Sequence, residues 1–138
     1  MEIRILQPGD EDLLIRAVTL ADEGPLSRER AAALLADKDL INVVATEARE
    51  PVGFIYGYVL RRFEKTSFFI YSVDVVVLAQ RRGIGRAMLA ALSEHGKKVG
   101  WHEMFVFTNA GNEAAMALYR SAGGVRPNPD DVMFDFDL

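Results

Sequence analysis

An almost unbroken apolar run, Phe68 to Leu78, is followed within two residues by Gln80-Arg81-Arg82-Gly83-Ile84-Gly85 and then by a helical stripe. This succession of strand, glycine-bearing turn and helix constrains the fold more than any other stretch of the chain. Two glycines spaced by one residue let backbone N–H groups turn inward together, and the start of the next helix adds unpaired donors and a partial positive charge aimed at the same point. Arg81, Arg82 and Arg86 supply further counter-charge. The junction reads as an anion site, while an ordinary helix-start turn with solvated arginines accounts for the same residues. It is not one of the better-known phosphate loops. A dinucleotide fingerprint needs a third glycine where Met88 stands, and no Gly-Lys-Ser/Thr is present.

Around this junction the periodicity predicts an α/β chain. Ile3 to Gln7 reads as a strand, and Glu11 to Ala21 as a helix whose Leu13, Leu14, Ala17, Val18 and Ala21 form one stripe. Ser27 is an N-cap for a second helix ending near Ala36. Asn42 to Ala48 and Val52 to Arg62 read as strands joined by a turn at Glu50-Pro51, and Thr66 to Leu78 is the longest strand. Gly83 to Val99 carries helical spacing, ended by Gly100. Met104 to Thr108, apolar up to its last residue, suits a strand covered on both faces. Asn112 to Ala122 forms the next helix, closed by Gly123-Gly124. Val132 to Leu138 alternates and is expected to finish a mixed sheet with helices on both faces.

The chain has 138 residues, half of them hydrophobic, which is enough to bury one core and predicts a single domain over residues 1–138. With no cysteine, disulfides, thiolate metal sites and a Cys nucleophile are excluded. His95 and His102 have no partner at metal-ligand spacing, so no metal is expected. No apolar stretch approaches a membrane span and the start is no signal peptide, which predicts cytoplasmic residence without a membrane partner. A net charge of −4 argues against nucleic acid and for a cationic partner.

A second motif lies downstream. Asn112, Ala115, Tyr119 and Gly123 stand at the spacing N-x-x-A-x-x-x-Y-x-x-x-G. With the Gln80 to Gly85 loop, this resembles the GNAT superfamily of acetyl-CoA-dependent N-acetyltransferases, whose CoA loop reads Q/R-x-x-G-x-G/A. The resemblance implies a mixed, mostly antiparallel α/β sheet flanked by helices. It also implies that acetyl-CoA is held by Gln80, Arg81, Arg82, Gly83, Ile84, Gly85 and Arg86, with Asn112 binding or orienting the pantetheine. Val75 and Val77 would pair with the pantetheine arm through their main chain. Tyr119 would protonate the leaving thiolate; from local sequence alone it is equally an aromatic that packs its helix on the sheet. An unperturbed phenol pKa of about 10 keeps it protonated at neutral pH. Direct attack by an amine on the thioester needs no covalent enzyme intermediate, in keeping with the absence of Cys and of a Gly-x-Ser-x-Gly elbow.

Candidate acceptor residues follow from charge placed in apolar surroundings. Ser72 and Asp74 interrupt the long strand two residues apart, hence on one face, and an unpaired buried carboxylate costs several kcal/mol. Asp74 is therefore expected at a wet cleft, orienting or deprotonating the substrate ammonium, or else as a structural carboxylate satisfied by its neighbours. In the last segment Phe134, Phe136 and Leu138 share one face and Asp131, Asp135 and Asp137 the other. Asp131 and Asp135 can hold a polycation, or lie on the solvated face of a terminal strand.

The stretches Ile70 to Val75, Arg81 to Gly85, Met104 to Asn109, Ala117 to Tyr119 and Asp131 to Phe134 together are similar to the aminoglycoside 3-N-acetyltransferase branch. That likeness implies a cationic aminoglycoside acceptor acetylated on its 3-amino group, antibiotic resistance, and a homodimer. Some members of that branch carry an acid where Ser72 stands, which leaves Asp74 or a water as the base. The alternatives are a family member acting on another amine, such as a polyamine or a peptide amine, and a non-catalytic acyl-CoA-binding domain.

Overall fold

A computed structural model describes residues 1–138. Five strands form one sheet in the order of the sequence: β1 (Glu2–Ile5), β2 (Leu40–Glu47), β3 (Glu50–Arg61), β4 (Thr66–Val75) and β5 (Glu103–Val106). All neighbours are antiparallel except β4 and β5, which run parallel. Four helices cover both faces: α1 (Glu11–Leu20), α2 (Arg28–Ala36), α3 (Ile84–Val99) and α4 (Glu113–Ser121). The expected mixed, mostly antiparallel architecture is present.

Each face has its own core. Against one, α1 and α2 press Leu14, Ala17, Ala31 and Leu35 onto Val44 and Phe54. Against the other, α3 presses Met88, Leu89 and Leu92 onto Val43, Ala45, Ile55, Phe68 and Ile70. The α2 start forms as its sequence predicts, with the Ser27 hydroxyl oxygen accepting from Arg30 N–H at 3.0 Å.

Four expectations are corrected. The β2–β3 turn lies at Ala48-Arg49, both at positive φ (50° and 67°), with Glu50 and Pro51 already in β3. Two positive φ values give the tight turn whose twist matches a hairpin, and Ala-Arg carries none of the Gly or Asn that would announce it. Strand β4 ends at Val75, so Val77 sits in a short 3-10 turn (Val77–Ala79) and is 80% exposed. Strand β5 is the outer strand and only partly covered, Met104, Phe105 and Val106 being of intermediate exposure and Phe107 just beyond it 61% exposed. Finally, Val132 to Leu138 adds no strand, and every residue from Arg120 onward is exposed.

A bulge in β4 positions the chemistry. Tyr56 faces Ser72, but the next residue, Gly57, faces Ile70, leaving Tyr71 as an extra residue. Unbroken alternation from Phe68 and Ile70 would bury Ser72 and Asp74 under α3. Instead Val73 and Val75 join that core and Ser72 and Asp74 turn to the opposite face. Gly57 makes the kink possible, because a Cβ there would lie 2.1 Å from the Phe69 carbonyl oxygen.

Candidate active site

Strands β4 and β5 pair only from Ser67 to Ile70 on the β4 side, and beyond that point they part. Val76 N–H donates to Val52 C=O at 2.9 Å, so Val75, opposite Gly53, directs its own N–H and C=O away from β3 into the gap. By alternation Val73 does the same. Gln80 Nε2 donates to the Val75 carbonyl at 3.0 Å, which leaves the Val75 N–H and both groups of Val73 as the open main chain.

The gap widens into a cleft of about 850 Å³. One wall is Val73 and Val75 of β4. The floor is the loop before α3, where Gln80, Arg81, Gly83, Ile84 and Gly85 all line the space. The other wall is α4, with Asn112, Leu118 and Tyr119. Gly83 stands at φ 77° and offers no side-chain cap, so the first N–H groups of α3 remain free to meet an anion. Asn112 begins α4, its side-chain oxygen accepting from Ala115 N–H at 3.1 Å. The cap uses one end of the amide and leaves its NH₂ available.

Tyr119 is half-buried, and its phenol is pushed up from the ordinary value first by burial and then by the carboxylate of Asp74. Asp74 thus acts on Tyr119 through its charge, although neither it nor Ser72 lines the cleft. Ser72 Oγ donates to Asp74 Oδ2 at 2.8 Å.

Other expected residues lie elsewhere. Arg82 is turned from the cleft and forms a two-point ion pair with Glu47, one contact at 2.9 Å, which holds the Glu47 carboxyl below its usual range. Arg86 is exposed and outside the cleft lining, as is Val77. Asp131 and Asp135 stand on the exposed C-terminal segment. Neither lines the cleft.

On the sheet face that carries Asp74, the structure adds residues that spacing does not reveal. The Tyr56 hydroxyl donates to both carboxylate oxygens of Glu23, at 2.8 and 2.7 Å. Burial and then this bond push the Tyr56 phenol well above its usual range. Tyr71 stacks on Tyr56 at 5.5 Å, and Tyr58 meets both rings edge-on. Glu23 and Tyr56 are 33 positions apart, so only the folded sheet brings them together. Tyr56 and Tyr58 do alternate with core positions of β3, the one signal the sequence carries.

A further groove, at the β1 and α1 end, is lined by Arg4 and Arg16, paired with Asp10 and Glu50, and by Arg49. No group of three His, Cys, Asp or Glu side chains comes together to hold a metal, and no helix is long and apolar enough to cross a membrane.

With this geometry in place, comparison with known proteins is informative. The model of the acetyltransferase (GNAT) family matches residues 12–123. A mycothiol acetyltransferase of Paenarthrobacter aurescens (strain TC1) is 40% identical over 65 residues, 47% of this chain and 20% of that protein. Another, from Arthrobacter sp. (strain FB24), is 27% identical across 97% of this chain and 45% of its own length. The chain thus spans less than half of these curated relatives. Among solved structures, an aminoglycoside acetyltransferase from an uncultured soil metagenomic sample, in complex with sisomicin, superposes with a TM-score of 0.91. It is 25% identical, over 99% of this chain and 95% of the other.

Proposed function

The chain belongs to the acetyltransferase (GNAT) family, and from that premise we propose that it moves the acetyl group of acetyl-CoA onto an aminoglycoside. The amine we favour is the 3-amino group of a deoxystreptamine ring, by direct attack within a ternary complex. In this reading the protein is a single domain over residues 1–138, works in the cytoplasm as a homodimer, and confers resistance to the antibiotic.

The observation that carries the reading is the meeting, at one cleft, of an open strand edge, a free helix start and the half-buried phenol of Tyr119. The residues present fit the cofactor. An extended amide arm matches the free main-chain groups of Val73 and Val75, and a diphosphate matches Gly83 to Gly85 with Arg81. When bound, acetyl-CoA supplies an activated acetyl thioester. Gln80 holds the end of β4 by its bond to Val75, which keeps the loop and the strand edge in register. Tyr119 keeps its proton because burial and Asp74 both disfavour the phenolate, and it donates that proton to the leaving sulfur. Asp74, steadied by Ser72, faces the acceptor side and accepts a proton from the substrate ammonium directly or through water. Glu23 and the aromatic wall of Tyr56, Tyr58 and Tyr71 lie on the same sheet face and suit a polycationic, ring-shaped acceptor.

The C-terminal carboxylates Asp131 and Asp135 enter this reading only if a second chain brings them near. The curated relatives favour a second reading, acetylation of a different amine, since those proteins bear the name mycothiol acetyltransferase. Release of free thiol from acetyl-CoA, measured against a panel of aminoglycosides, polyamines, amino sugars and basic peptides, decides between them. Turnover highest with aminoglycosides supports the proposal, and turnover confined to another amine replaces the acceptor. No thiol release with any amine leaves an acyl-CoA-binding domain. Mapping the acetylated nitrogen by NMR tests the 3-amino assignment.

A further inference from the structure

The loop before α3 is tied down on both sides of a strained residue. The Gln80 side-chain amide donates to the Val75 carbonyl at 3.0 Å, which fastens the loop to the end of β4. Arg82 reaches the other way, its Nη1 donating to Glu47 Oε1 at 2.9 Å and its Nη2 to Glu47 Oε2. Arg81, between them, stands at φ 64°, a left-handed conformation that a residue with a side chain rarely holds. Such a conformation persists where its surroundings impose it, and the two flanking side chains are the anchors present here.

The backbone of the loop gives it little hold of its own. No N–H from Arg81 to Arg86 donates to a protein acceptor; the first to do so is that of Ala87, to the Gly83 carbonyl at 2.9 Å. That row of donors suits an anion, and it also leaves the stretch without internal bonds to fix its shape.

Glu47 stands on a firm base. It ends β2 opposite Glu50 of β3, and the turn between them is pinned by Arg16 of α1, which donates to the Arg49 carbonyl at 2.9 Å and meets the Glu50 carboxylate at 3.3 Å. The ion pair thus joins the loop to a hairpin end that is itself fixed to a helix. A two-point guanidinium–carboxylate contact sets direction as well as distance. Arg81 lines the cleft, whereas neither Arg82 nor Glu47 does.

We propose that the Glu47–Arg82 ion pair is a brace that holds the Gln80 to Gly85 loop, with Arg81 lining the cleft, in the shape that receives the diphosphate. Glu47 and Arg82 are then positioning residues, acting through Arg81 and the free N–H groups. A loop that takes up the receiving shape only part of the time binds its ligand more weakly by that fraction. The brace presupposes acetyl-CoA as the donor proposed above and makes no use of the acceptor.

Charge alone predicts the opposite of a brace, which makes Glu47→Gln the variant that separates them. Removing a carboxylate beside an anion site strengthens anion binding if only the field matters, and weakens it if the brace is lost. Acetyl-CoA affinity, measured by calorimetry with no acceptor present, should fall about threefold to fivefold in Glu47→Gln, the scale of an exposed pair. In an Arg82→Gln background the same substitution should cause no further loss, because the brace is already gone. Tighter binding in Glu47→Gln, or an equal loss in both backgrounds, would overturn the proposal.

Brief digestion with trypsin reads the loop itself. In Glu47→Gln, cleavage after Arg81 or Arg82, identified by fragment mass, should be several-fold faster than in the parent, with helix content by circular dichroism unchanged. Cleavage at the parent's rate would refute the brace. Faster cleavage with unaltered acetyl-CoA affinity would show that the pair holds the loop but that the diphosphate binds elsewhere, which removes the loop from the donor site and the positioning role with it.

Discussion

In the proposed reaction Tyr119 is the acid, and its environment sets how it holds its proton. Burial and the Asp74 carboxylate both favour the neutral phenol, so it holds its proton above the ordinary pKa of about 10. Tyr119→Phe should lower kcat by about a hundredfold, the lower range for a positioned acid, and leave acetyl-CoA affinity measured by calorimetry unchanged. An unaltered kcat would remove it as the acid. The sign of the pH dependence follows from the same causes: the alkaline fall of kcat belongs above the usual phenol range. Asp74→Asn removes one of the two upward influences, so in that variant the fall should begin at lower pH. An alkaline limb that stays in place would dissociate it from Tyr119. Tyr119 and Asn112 were legible from spacing because a helix start and a stripe are local patterns. Arg82 was not, because the Glu47 that claims it lies 35 positions upstream.

Among the elements, β4 carries the most consequence per residue. Its bulge at Tyr71 sends Val73 and Val75 to the core under α3 and Asp74 to the opposite face, and Gly57 is the position that permits it. Gly57→Ala would push a methyl onto the Phe69 carbonyl and the Phe68 ring, which costs at least the ~1–3 kcal/mol of ordinary overpacking. Chemical denaturation should register that loss, and a midpoint equal to the parent's would show that the kink tolerates a side chain. The turn before α3 calls for a different comparison, since Gly83 is at positive φ with open space around it. Asn and Asp both tolerate that conformation, so Gly83→Asp against Gly83→Asn isolates charge from strain. Acetyl-CoA should bind the Asp variant at least about tenfold more weakly, roughly 1.4 kcal/mol. Equal affinities would move the diphosphate elsewhere. Strands and helices were readable here wherever one face is buried. The Ala48-Arg49 turn was hidden by residues with no turn chemistry, and the last segment by a rule of alternation that gives a strand its faces without naming its neighbour.

At the scale of the whole molecule, the proposed reaction has donor and acceptor approach from opposite faces of one sheet and meet where β4 and β5 part. The proposed donor side is marked by two local motifs, whose residues the fold brings to one cleft. The proposed acceptor side is assembled from Glu23 between α1 and α2, Tyr56 on β3, and Tyr71 and Asp74 on β4, a set that exists only after folding. That side is anionic on a chain whose net charge is −4, so the proposed polycationic acceptor would be drawn by the long-range field as well as by contact. Salt screens such attraction over about 10 Å at 0.1 M. Raising ionic strength from 0.02 to about 0.3 M should therefore lower kcat/KM for an acceptor with four or five ammonium groups several-fold, and for a monoamine far less. Glu23→Gln removes one of these charges at the aromatic wall and should raise KM for the polycation while leaving kcat and the KM for acetyl-CoA close to the parent. Its salt slope should also be shallower, because one carboxylate fewer takes part in the capture. Equal slopes for polycation and monoamine, with KM unmoved in Glu23→Gln, would mean that the acceptor is chosen by shape alone and that this carboxylate serves only to hold Tyr56.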